Sequence, residues 1–136
     1  MQEQLECIFQ NIIAFYNELI EITKKETNCL TYIAVDDLET TIKHKKVVLQ
    51  KLTANIRHLG ELLKQEDKEK FSNYINTIKE LSKKLEIQNQ INAQIAQQHI
   101  AFSQSLIDLY SSFKKISQTY DKRSLIRYKS ENNIRG

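Results

Sequence analysis

The sequence contains no proline and no tryptophan, and its two glycines are Gly60 and the terminal Gly136. Tight hairpin turns call on Gly, Pro, Asn and Asp in set positions, so this scarcity argues against sandwiches, barrels and β-meanders. It also removes the commonest helix breakers. No apolar run approaches the roughly 18 residues needed to cross a bilayer, so membrane insertion is not expected. The start, Met1-Gln2-Glu3-Gln4, lacks the basic and apolar regions of a secretory signal, and cytoplasmic residence is the expectation. There are two cysteines, Cys7 and Cys29. On one helix they would stand roughly 33 Å apart, beyond disulfide reach, so they read as free thiols in a reducing compartment.

Catalytic signatures are also scarce. There is no glycine-rich phosphate loop. None of His44, His58 and His99 has a Glu three residues before it, as helical di-iron sites require. Neither cysteine has a companion at metal-ligand spacing. The expectation is a protein that is not an enzyme and uses no metal or cofactor. Charge excludes a nucleic-acid binder as well. Residues 1–118 hold 15 basic and 15 acidic side chains. The whole net charge of +3 lies in 119–136, where Lys122, Arg123, Arg127, Lys129 and Arg135 face Asp121 and Glu131.

What the sequence does contain is a heptad pattern. From Leu5, alternating steps of four and three reach Phe9, Ile12, Tyr16, Leu19, Thr23, Glu26, Leu30 and Ile33. From Leu38 they reach Ile42, Lys45, Leu49, Leu52, Ile56, Leu59 and Leu63. A third series runs from Phe71 to Ile116 and is apolar except at Gln88, Asn92 and His99. Such spacing is the seam of helices packed side by side. The phase slips at Leu30–Leu38 and at Leu63–Phe71. The first slip carries Asp36 and Glu39 at capping-box spacing, and the second carries the charged run 65–70. The pattern predicts an all-α protein, an antiparallel three-helix bundle or coiled coil with a long third helix. Its helices are expected at about 3–32, 37–65 and 67–118, followed by a basic flexible tail over 119–136.

The lengths do not match. Helices 1 and 2 would each be roughly 45 Å long and helix 3 roughly 78 Å. The hairpin can cover only the first part of helix 3, leaving Phe102, Leu106, Leu109, Phe113 and Ile116 as a stripe without a partner helix. Exposing such side chains costs about 1.5–3 kcal/mol each relative to burial, so the stripe is a candidate binding surface. The alternative reading is a core stripe, covered by a fold-back of the chain or by a second copy. The polar seam residues Gln88, Asn89, Asn92 and His99 admit three readings: register-fixing core polars, a solvated stretch beyond the hairpin, or a polar patch facing a partner. In the tail, Tyr120 and Tyr128 are both candidates to enter a pocket on a partner, since tyrosine buries large area with few torsions to freeze; the other reading is a disordered end.

Several segments together resemble the FlgN family of flagellar type III export chaperones. Leu19 and Ile20 lead into Asp37-Leu38-Glu39, which looks like the family's acidic-Leu-Glu step. Lys45 or Lys46 before Val48-Leu49 is similar to its Lys-x-x-Leu segment, and Asn89-x-x-Asn92 with Ile95 to its paired-Asn stretch. Thr119-Tyr120-Asp121 resembles the tail motif, although Lys122-Arg123-Ser124 stand where the family carries Gly. The resemblance implies a cytoplasmic chaperone that binds hook–filament junction proteins through Phe102 to Ile116 and keeps them from premature assembly. It also implies delivery to the type III export gate or its ATPase components, with Tyr120 as the docking residue. The alternatives are a coiled-coil secretion chaperone of another system and a structural homodimeric helical protein.

Overall fold

The computed structural model describes residues 2–132, with side chains described to residue 112. Every element in this range is a helix: α1 (Gln2–Tyr32), α2 (Val35–Leu62), the single turn α3 (Asp67–Lys70) and α4 (Ser72–Asn132). The chain divides into two units, Met1–Ala96 and Gln97–Gly136.

The first unit is the expected up-down-up bundle. α1 and α2 are antiparallel. Lys45 pairs with Glu26 near one end, while Leu59 and Leu62 pack on Leu5 and Phe9 at the other. α4 runs parallel to α1, with Tyr74 donating to Glu6 at 3.0 Å and Asn92 donating to the Thr23 carbonyl at 3.0 Å. The heptad residues fill the core: Leu5, Phe9, Ile12 and Leu19 of α1, Leu52 of α2, and Phe71 and Leu85 before and within α4 are all buried. Ile8 and Ile22 of α1 and Val48 of α2 join them from adjacent positions, so each helix presents a stripe wider than a strict coiled-coil seam.

The two junctions are built differently. The α1–α2 turn is a Schellman motif: Ala34 N donates to Cys29 O at 2.9 Å and Ile33 N to Leu30 O at 3.4 Å. This motif needs a left-handed residue just past the helix, a place usually taken by glycine. In this glycine-poor chain it falls to Ile33, at φ 54°. The turn also overturns one expected detail. α2 begins at Val35 with Ala34 as its N-cap and no side-chain cap bond, so Asp36 and Glu39 form no capping box. Asp36 and Asp37 instead sit within the first turn of α2, where their charges favour the positive end of the helix dipole.

At the second junction the charged run does break the helix. Leu63 is extended, and the Asp67 carboxylate accepts from Lys64 N at 3.0 Å. α3 then makes one turn before Phe71. Phe71 turns inward and stacks on Phe9 with ring centroids 5.1 Å apart, and Tyr74 lies 5.5 Å from Phe9. These rings close that end of the bundle. Beyond the first unit, α4 continues past residue 118 to Asn132, so the expected start of the tail at 119 coincides with no break in the helix.

Ile33 offers a direct stability test. It is 66% exposed, so its side chain contributes little burial, while a left-handed L-residue costs about 1–2 kcal/mol. Ile33→Gly is expected to raise unfolding free energy by about 0.5–1 kcal/mol once the greater chain entropy of glycine is subtracted. Ile33→Ala, which keeps the Cβ, should gain less. Urea denaturation of the three proteins measures the difference.

Candidate partner-binding surface

Of the polar seam, Asn92 is buried in the bundle, Gln88 is half-buried and Asn89 is exposed. Asn92 is 5% exposed, and its amide nitrogen donates to Thr23 O at 3.0 Å and to Glu26 Oε1 at 2.7 Å. Gln88 Nε2 donates to Thr27 Oγ1 at 2.7 Å. The Thr27 hydroxyl has one proton to share between Asn92 Oδ1 and the Thr23 carbonyl. From α2, Lys45 Nζ reaches both Glu26 Oε1 at 3.1 Å and Asn89 Oδ1 at 2.6 Å. The network thus ties all three helices, and no buried side-chain polar atom among the described residues lacks a partner. Such satisfaction matters because an orphaned buried polar group costs about 1–3 kcal/mol.

Of the expected polar seam, the structure brings together Gln88, Asn89 and Asn92. His99 is half-buried and belongs to the second unit. The partners that sequence reasoning did not connect are Thr23, Thr27, Glu26 and Lys45. A signal for three of them was present: Thr23 and Glu26 interrupt the seam of helix 1, and Lys45 is the only interruption in that of helix 2. The interruptions in three separate seams stand at matching heights and meet.

The apolar stripe lies in the second unit. Phe102, Leu106 and Leu109 are 64%, 51% and 68% exposed. Phe113, Ile116 and Tyr120 lie outside the residues whose side chains are described. Three further exposed apolar residues accompany the stripe, namely Ile100, Ile107 and Tyr110. At about 100° per residue, the six together cover about half the circumference of the helix. A strict three–four count follows a single row and so passes over the neighbouring one. Asp108 is the only charged residue between 97 and 112, so this arc offers apolar contact with little electrostatic selection. Among the described residues there is no cluster of His, Cys, Asp or Glu able to hold a metal ion, and no helix is long and apolar enough to cross a membrane. Cys7 is exposed, Cys29 is buried, and both are free thiols.

The ion pair inside the network is testable. Lys45 and Glu26 side chains are only 20% and 12% exposed. Lys45→Met leaves the Glu26 carboxylate without its cation and is expected to cost about 2–4 kcal/mol, below the full buried-pair range because Lys45 keeps some contact with water. Glu26→Gln in the same background should recover part of that loss. A double-mutant cycle by chemical denaturation reads the coupling.

A family model described as FlgN protein matches residues 1–125. No curated protein and no solved structure matches the chain.

Proposed function

The chain belongs to the FlgN protein family, and on that premise we propose that it is a chaperone that keeps hook–filament junction proteins unassembled in the cytoplasm and delivers them for export. Family membership supports a flagellar export chaperone role in general terms. The observation that carries the more specific reading is the apolar arc around Phe102, Leu106 and Leu109, which stands exposed on α4. Phe113 and Ile116 extend the same three–four series.

The mechanism is helix-in-groove recognition. An amphipathic client segment lays its apolar face along the arc, and association is driven by the apolar area both surfaces remove from water. No bond is made or broken. A client whose own assembly surface is an amphipathic helix is kept from polymerising for as long as that helix is covered. Release needs only competition for the same surface. Tyr120, beyond the arc, is the residue proposed to engage the export gate or its ATPase components, and the basic residues after it can add attraction to an acidic docking site.

Two experiments separate the roles. Leu106→Glu combined with Phe113→Glu is expected to abolish the complex with a co-expressed hook–filament junction protein, while far-ultraviolet circular dichroism stays helical. A complex that survives both changes removes the arc as the client site, and a dimer of the free protein that these changes dissolve would assign the arc to self-association. Tyr120→Ala is expected to leave client binding intact and to lower client secretion. Unchanged secretion would exclude Tyr120 as the docking residue.

A further inference from the structure

A second apolar surface lies wholly within the first unit. Between α2 and α4, with Tyr16 of α1 in its lining, is an open groove of about 550 Å³. Leu49, Leu52 and Ile56 line it from α2, and Leu85 and Ala93 from α4. Leu49 and Ile56 occupy heptad positions of α2, yet they remain 47% and 43% exposed. The α4 side runs from Ser82 to Ala93, about 16 Å or three helical turns. A helix laid along this groove would meet it over that length with one face.

The electrostatics of the groove narrow its occupant. Residues 40–60 contain Lys43, Lys45, Lys46, Lys51 and Arg57 and no acidic residue. Lys45 is committed to Glu26 and Asn89, and Lys43 pairs with Glu39. Lys46 stands one turn before Leu49 on the same face, and Arg57 lines a hollow that shares Leu49 and Thr53 with the groove. Neither makes an ion pair among the described residues. The one charged residue of the lining itself, Glu86, belongs to α4, so it is along the α2 margin that an occupant's acidic residues would find cations. We infer that this groove docks an amphipathic helix of a partner protein that carries acidic residues beside its apolar face. The chain's own basic segment 119–136 has the wrong sign to fill it. The arc at 97–112 of a second copy, with Asp108 as its only charge, lacks the acidic flanks. The site is separate from the proposed client arc and does not depend on it.

The test uses full-length protein and two fluorescent helical peptides of about 18 residues, or five turns. Both carry the same leucine face, one with glutamate and the other with lysine at the flanking positions. Anisotropy titration is expected to show the glutamate peptide binding at least about tenfold tighter, with the preference shrinking as salt is raised. Leu49→Gln with Ile56→Gln should abolish binding, whereas Leu106→Glu should leave it unchanged. Lys46→Glu with Arg57→Glu, a surface change that leaves the core intact, should reverse the preference toward the lysine peptide. Equal affinity for the two peptides, no binding of either, or loss of binding on Leu106→Glu instead of the groove changes would overturn the inference. So would a homodimer, seen by light scattering, that Leu49→Gln with Ile56→Gln dissolves.

Discussion

The amide of Asn92 is the point on which the arrangement of the bundle turns. A heptad seam repeats every seven residues, so apolar packing alone is nearly indifferent to sliding one helix along another by two turns. The network at Asn92 removes that indifference. Moving α4 by seven residues would set Leu85 or His99 against Thr23 and Glu26, and the half-buried Glu26 carboxylate would lose a donor. Lys45 makes the same demand of α2, because it reaches Glu26 and Asn89 at once. Once the register is fixed, so are the residues of α4 within the first unit that meet α1 and α2.

The two ends of the bundle are closed by different physics. At one end Phe9, Phe71 and Tyr74 stack, which combines large buried area with favourable ring geometry. At the other end the chain reverses through a Schellman turn in which a β-branched residue holds a left-handed conformation. That strain persists because the helices on either side are fixed by their core contacts and by the network between them. The two exposed apolar surfaces also differ. The arc at 97–112 is almost without charge, while the groove between α2 and α4 has unpaired cations at its margin. An uncharged surface accepts any helix of suitable apolar face, whereas a charged rim discriminates by sign. A chaperone with both could hold one protein and recognise another.

Periodicity made most of the fold legible. The slips at Leu30–Leu38 and Leu63–Phe71 mark both breaks, because a helix that ends and restarts cannot keep its angular phase. The expected capping box at Asp36 does not form for a local reason: the left-handed turn at Ile33 brings the chain into helix two residues earlier than the acidic pair would. Nothing in the residues around Ile33 announces a left-handed conformation, since glycine, its usual marker, is absent there. Gln88, Asn89 and Asn92 stood out as polar residues near an apolar seam. Thr23, Glu26 and Lys45 interrupt the other two seams in the same way, but nothing in the sequence joins them to the first set, because those contacts link residues 44 to 69 positions apart.

The sequence by itself determined that the chain is helical, where its helices break, and that its third apolar series outruns the first two. Those properties follow from spacing along one helix, and spacing is written in the order of the residues. Tertiary structure alone decided that Thr23, Glu26, Lys45, Asn89 and Asn92 would meet, and that Leu49 and Ile56 would line an open groove instead of a closed core. Both depend on distances between helices. Those distances are set by the summed volumes of the side chains packed between them, and no single helix carries that sum in its pattern.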